Sequence, residues 1–165
     1  MPERPPLVRP GTPDDRDWVV GVLTERWGAT EVVSRGRRHA AADLPAVVAE
    51  TEGRRSGLAT YRVDGEEAEL VTLDALAEGR GIGRALLAEV AERARAAGCR
   101  RLWLVTTNDN VDALRFYQRR GLRLVAVHRG ALDEARPLKP SIPEVGEYGI
   151  PVHDELELEL VLDDR

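Results

Sequence analysis

Cysteine is almost missing from this chain: Cys99 is the only one in 165 residues. An internal disulfide is therefore impossible, and a cysteine-based zinc site has too few ligands. A reducing compartment is the natural setting. Lysine is equally scarce, Lys139 being the single one, so arginine carries the positive charge. The arginines are scattered among acids, and the net charge is −5 with a pI near 5.3. General nucleic-acid binding depends on neutralising phosphates and is disfavoured. No apolar run is long enough to span a bilayer. Met1-Pro2-Glu3-Arg4-Pro5-Pro6 lacks the apolar core of a signal peptide. The expected location is the cytoplasm, with neither membrane nor nucleic acid as a partner.

What is present suits one globular domain over residues 1–165. Hydrophobic residues make up 42% and charged residues 32%, which is enough apolar material for a core without metal or disulfides. No repeat or low-complexity linker interrupts the chain. Pro6–Arg9 reads as a first strand. Thr12-Pro13-Asp14 then starts a helix with a cap, a first-turn proline and acids at the positive end of the dipole. That helix runs to about Trp27-Gly28. Residues 29–43 are ambiguous, with a short helix expected around His39–Ala42. Leu44–Glu50, Gly57–Val63 and Glu66–Leu73 read as strands, with polar turns at Arg54-Arg55 and Asp64-Gly65.

Gly81–Ala97 has the clearest helical period, with Ile82, Leu86, Val90, Ala94 and Ala97 on one face and Gly98 as the stop. Arg101–Thr106 is a continuous apolar strand suited to burial on both faces. A short helix over Val111–Arg120 and a strand over Leu122–His128 follow. Asp154–Leu162 alternates Glu and Leu, as a half-buried strand does. Leu132–Val152 reads as a long Pro/Gly-rich loop, a length that is uncommon unless it binds something. The order implies an α/β (α+β) chain with a mixed sheet.

The chemistry centres on Glu78-Gly79-Arg80-Gly81-Ile82-Gly83-Arg84, between a strand and the mouth of a long helix. Glycine lets the backbone approach a ligand closely. The first amides of a helix lack internal partners and favour an anion. A pyrophosphate fits there. No Gly-Lys-Ser/Thr follows, so this is not a Walker loop. A dinucleotide fingerprint also fits poorly, since the loop follows an antiparallel hairpin. A glycine turn that only tightens strand–helix packing is the plainer alternative.

A second motif lies downstream: Asn110-Val111-Asp112-Ala113-Leu114-Arg115-Phe116-Tyr117, then Arg120-Gly121-Leu122. The pair resembles the GNAT superfamily of N-acetyltransferases, whose pyrophosphate loop reads Arg/Gln-x-x-Gly-x-Gly/Ala and whose later helix reads Asn-x-x-Ala-x-x-x-Tyr. Gly81 and Gly83 match the loop, and Asn110, Ala113 and Tyr117 match the helix. The family's Arg or Gln falls on Glu78. An acid there repels a pyrophosphate unless it points away, and Arg80 or Arg84 is placed to compensate.

The resemblance implies a GNAT-like fold, with a central mixed, mostly antiparallel sheet flanked by helices on both faces. It also implies acetyl-CoA as co-substrate, no metal, and a small-molecule amine or a protein amino group as acceptor. The cofactor set it implies is Leu73, Asp74, Glu78, Gly79, Arg80, Gly81, Ile82, Gly83, Arg84 and Asn110. A backbone N–H at Leu73 or Asp74 would polarise the thioester carbonyl, and the amine would attack directly. Tyr117 takes the family's general-acid position, with aromatic packing as its plainer reading. Asn110 would contact the pantetheine arm and also serve as a helix cap.

Glu69 is the expected base. It sits in an apolar run and shares the parity of Leu73 unless a bulge intervenes. Glu67 has the same parity. Asp154 and Glu155 are placed to hold a cationic substrate, whereas Glu157 and Glu159 read as a solvated face. His39, His128 and His153 have no metal spacing and read as structural or exposed, although His128 or His153 could serve as the base instead, and Cys99 sits at a helix end that disfavours thiolate. Trp27, Arg35 and His39 fall where the acceptor is walled in this family. The final strand leaves a homodimer open. The alternatives are a non-catalytic acyl-CoA sensor of the same fold and an unrelated nucleotide-binding protein.

Overall fold

The structure is a computed structural model that describes residues 4–162. They form two compact units, the first from residues 4–32, 40–102 and 162, the second from Val33–His39 and Trp103–Val161.

In the first unit, strands β1 (Leu7–Pro10), β4 (Ala46–Thr51), β5 (Arg54–Asp64) and β6 (Glu67–Ala75) lie side by side in that order, each antiparallel to the next. Helix α1 (Arg16–Trp27) connects β1 to the rest, and α2 (Ile82–Ala96) follows β6. Val47–Ala49, Leu58–Tyr61 and Ala68–Thr72 are buried at every position. Their unbroken burial, which takes in Thr60, Glu69 and Thr72, reflects cover on both faces. Val19, Val22 and Leu23 of α1 pack with Val48, Leu58 and Val71. On the opposite face, Ile82 and Leu86 of α2 lie over Gly57, where an added Cβ would stand 2.4 Å from Ile82 Cγ2 and 3.0 Å from Leu86 Cδ1. Gly57 and Leu58 are consecutive and so point to opposite faces.

Asp15, 1% exposed, ties the entry of α1 to two strands. Its carboxylate accepts from Arg9 Nη1 and Nη2 (2.7 and 2.9 Å), Arg55 Nε (2.8 Å) and the Thr12 backbone N–H (2.8 Å). Gly28, at φ 75°, closes the helix.

A bulge interrupts β6. Thr60 pairs with Thr72 and Tyr61 with Leu70, leaving Val71 as the extra residue. Side chains beyond it switch faces. Glu69 therefore lies on the α1 face, and Leu73 on the α2 face. The parity expected to join the two residues is broken by this one insertion.

Three local expectations are corrected. The turn before β5 is Glu52-Gly53, both at positive φ, so Arg54 and Arg55 belong to the strand. Residues 29–43 hold a hairpin, β2 (Glu31–Ser34) and β3 (Arg37–Ala40), turning at Arg35-Gly36. Only a 3-10 turn, Ala41–Asp43, stands where a helix around His39–Ala42 was expected.

The second unit contains most of β7 (Arg101–Thr107), then α3 (Val111–Arg119), β8 (Arg123–His128), α4 (Ala131–Ala135) and β9 (Glu155–Val161). The strand order is β7-β9-β8, with β8 and β9 antiparallel. The final strand is thus enclosed between two neighbours, and its edges are not free for a second copy. The segment expected as a bare loop begins with α4. It is then pinned: Asn108 donates to Pro151 O and accepts from the His153 and Asp154 amides, while Asp109 accepts from the Glu147 amide.

Candidate functional site

In the first unit, β6 runs into α2 through a short turn. Gly79 and Gly81 adopt φ 70° and 71°, a region open to glycine at little cost. Gly81 is the N-cap of α2 and offers no side chain to it. The first amide to bond back along the helix is that of Ala85, to Gly81 O at 3.0 Å. The amides of Ile82, Gly83 and Arg84 precede it and lack intrahelical acceptors. No heavy atom lies within 4 Å of a Cβ built on Gly79 or Gly81. The turn is therefore a bare backbone cradle with space before it, and it suits a diphosphate.

Packing fixes the cradle's position. Ile82 is 1% exposed against Gly57, and the Leu76 amide donates to Ser56 O at 2.8 Å. Glu78 and Arg84 are exposed. Arg80 is half-buried, its guanidinium 3.8 Å from the Glu52 carboxylate.

Leu73 and Asp74 end β6 half-buried, on the α2 and α1 faces respectively. The Asp74 carboxylate accepts from Trp27 Nε1 at 2.8 Å. Burial pushes its pKa above the usual carboxylate value, and the Trp27 hydrogen bond and the charge of Arg26 offset this in part. Glu69, also on the α1 face, is 2% exposed and accepts from Arg62 Nε at 3.0 Å. Cys99 is buried, and desolvation raises its thiol pKa.

In the second unit, Asn110 caps α3, its Oδ1 accepting from the Ala113 amide at 3.1 Å. Two turns on, Tyr117 is 9% exposed and meets Phe116 edge-to-face, with ring centroids 5.1 Å apart.

A cluster that the sequence reading did not assemble lies between the hairpin and β9. Glu155 and Glu157 are buried, not solvated as the Glu/Leu alternation suggested for Glu157. Arg35 donates from Nη1 to Glu157 (2.8 Å) and from its amide to Glu155 (3.3 Å). His128 Nε2 lies 2.5 Å from Arg35 Nη1 and 3.0 Å from Glu157 Oε1. A neutral imidazole nitrogen accepts from the arginine, and a protonated one donates to the carboxylate. Ser34 and His39 form a buried pair at 3.1 Å beside them. The alternation of β9 was the available signal, but the hairpin that covers it was not legible. Asp154, expected to help hold a cationic substrate, accepts from the Gly130 amide and contacts His153 Nδ1 at 2.7 Å. Among the described residues no group of His, Cys, Asp and Glu converges as a metal site, and no helix is long and apolar enough to cross a membrane.

A mostly antiparallel sheet flanked by helices, with a glycine cradle at the mouth of the long helix, defines a class of CoA-dependent acyltransferases. The family model for the acetyltransferase (GNAT) family matches residues 15–122, and the chain belongs to that family. It is 39% identical over 158 residues to YdhI of Bacillus subtilis strain 168, an uncharacterized protein, covering 95% of this chain and 99% of that one. Among solved structures it resembles an IAA acetyltransferase from Bacillus cereus ATCC 14579, with a TM-score of 0.72, 22% identity, and 95% and 99% of the two chains covered. It also resembles yncA of Salmonella typhimurium, solved with its cofactor acetyl-CoA, at TM-score 0.69 and 17% identity over 98% and 96% of the chains. At these identities the structural likeness concerns the fold alone.

Proposed function

We propose that this chain transfers an acetyl group from acetyl-CoA to a primary amine by direct attack, without an acyl-enzyme. The observation that carries the reading is the uncapped start of α2 behind Gly79 and Gly81, at the end of β6. The neighbour solved with acetyl-CoA supports the choice of co-substrate.

The amides of Ile82, Gly83 and Arg84 bind the diphosphate, with Arg80 and Arg84 adding charge. Glu78 is exposed and has room to turn away from it. The backbone N–H of Leu73 or Asp74 stabilises the developing oxyanion, and Asn110 holds the pantetheine arm. A free amine of pKa about 10.4 arrives protonated and must lose that proton before attack. Glu69 is the proposed base. It shares the α1 face of β6 with Asp74, and because Arg62 holds its carboxylate, the proton passes through a water. As the N–C bond forms and the C–S bond breaks, Tyr117 gives a proton to the departing thiolate, whose conjugate thiol has a pKa of about 8.5, and regains one from the nitrogen as it becomes the amide. The setting is cytoplasmic.

Titration calorimetry with acetyl-CoA, with ATP as control, tests the cradle. Specific acetyl-CoA binding is expected, and equal binding of ATP would refute the reading. Tyr117→Phe tests the acid. It is expected to lower kcat by about 10²–10⁴-fold while leaving acetyl-CoA affinity intact. Unchanged turnover removes Tyr117 from the mechanism.

A further inference from the structure

α1 packs on the sheet through Val19, Val22 and Leu23, but the flank beside Val22 is open. Trp18, Gly21, Val22, Glu25 and Arg26, together with Leu76, line an open groove of about 450 Å³. The helical positions are spaced by three and four, so they form one stripe. Leu76 lies two residues past Asp74, so the groove abuts the end of β6.

Three features mark the groove as built for a ligand. Gly21 stands in the interior of a helix, where glycine costs about 1 kcal/mol relative to alanine. No packing contact requires it, because nothing lies within 4 Å of an added Cβ. The groove's floor is apolar, with Val22 buried and Leu76 half-buried, and Trp18 forms a wall held by the Arg55 guanidinium 5.6 Å from its ring. Its rim carries one acid and one base on consecutive residues, Glu25 and Arg26, both exposed. No salt bridge joins either of them among the described residues. Arg26 also lies close enough to act on the Asp74 carboxylate, on the side toward β6.

We propose that this groove seats the acceptor, and that the acceptor is a free α-amino acid with an apolar side chain. The inference rests on the acetyl-transfer reading above. Arg26 takes the carboxylate, Glu25 faces the ammonium before it is deprotonated, and Trp18, Val22 and Leu76 cover the side chain. An amine without a carboxylate forgoes the contact with Arg26. A highly charged acceptor leaves the apolar floor unmatched.

The test compares L-leucine and L-phenylalanine with their decarboxylated counterparts, isoamylamine and phenethylamine. Thiol release from acetyl-CoA is followed with the full chain. Saturation-transfer NMR reports amino-acid binding in the presence of CoA, independently of turnover. The wild type is expected to favour the amino acids at least tenfold in kcat/KM. Arg26→Gln is expected to lower that parameter about 10–100-fold for the amino acids and less than twofold for the amines. Gly21→Leu fills the groove with a better helix former. It is expected to abolish amino-acid binding while leaving acetyl-CoA affinity unchanged and the melting temperature unchanged or higher. No binding of either amino acid to the wild type overturns the proposal, as does an Arg26→Gln effect equal on both ligand classes. Failure to bind acetyl-CoA, by contrast, strikes the acetyl-transfer reading and leaves amino-acid binding to be judged by the NMR result.

Discussion

Replacing Gly57 with alanine drives a methyl group into the first turn of α2. The new Cβ falls 2.4 Å from Ile82 Cγ2, 3.0 Å from Leu86 Cδ1 and 3.2 Å from the Asp74 carbonyl oxygen. Carbon atoms pack best at about 3.5–4.0 Å, so the start of the helix must move by roughly 1 Å or Ile82 must leave its rotamer. Neither neighbour has room to yield, since Ile82 is 1% and Leu86 0% exposed. Overpacking of this kind costs about 1–3 kcal/mol. The lower chain entropy of alanine in the unfolded state returns about 0.4–1 kcal/mol. A net loss of about 1–2 kcal/mol is expected in urea denaturation. The same displacement shifts the amides of Ile82, Gly83 and Arg84 against a diphosphate, enough to take one of them out of hydrogen-bond range, which tolerates only a few tenths of an ångström. Calorimetry should then show acetyl-CoA affinity falling about tenfold, the equivalent of one hydrogen bond to a charged group. Ile82→Ala removes the clashing atom at its own cavity cost of about 2–5 kcal/mol. The double variant should therefore be more stable than the sum of the single effects by at least 1 kcal/mol. Strict additivity would refute the clash. A Gly57→Ala protein within 0.5 kcal/mol of wild type, with intact acetyl-CoA affinity, would refute the packing account of the cradle.

Two further outcomes follow from buried charges. Arg9 above all, then the Thr12 amide and Arg55, hold the Asp15 carboxyl well below the usual carboxylate range against the opposing effect of burial. A depressed folded pKa contributes stability above the unfolded value of about 3.9 and loses it as pH falls through the folded value. Asp15→Asn should cost about 2 kcal/mol at pH 7, and its gap to wild type in urea should narrow at pH 3. A gap that does not change with pH would show that the ion pairs contribute nothing. Glu157→Gln removes the carboxylate that holds both Arg35 and His128, so amide exchange should accelerate about fivefold or more over residues 33–39 before any global loss. Uniform acceleration across the chain would mean that the cluster does not anchor the hairpin specifically.

The features legible in the sequence are those whose cause is local. Gly79 and Gly81 were readable because only glycine enters the left-handed region at little cost, and Asn110 because a cap bonds within its own turn. The long helix α2 was readable from its apolar period: Ile82, Leu86, Val90 and Ala94 are buried, joined by Leu87 and Ala91, whereas Ala97 is exposed at the C-cap. The glycine turn at the start of α2 could thus be placed before any tertiary contact was known. The second motif could be placed in the same way, although the sequence carried no information on the surroundings of Tyr117.

Tertiary structure decided whatever depends on a partner distant in the chain. The bulge at Val71 exists only relative to Thr60 and Tyr61 on β5, and it alone separates the faces of Glu69 and Leu73. Periodicity within β6 cannot reveal it, because every residue from Ala68 to Thr72 is buried. Alternation in β9 correctly gave Glu155 and Glu157 a common face, but a face is solvated or buried according to what covers it. Here the cover is a hairpin whose turn, Arg35-Gly36, lacks the usual Asn-Gly or Asp-Gly signature. The groove along α1 was hidden for the same reason, since Gly21 looks like a helix defect until the space beside it is seen. Backbone conformation is set by neighbours in sequence, whereas burial, register and cavities are set by neighbours in space.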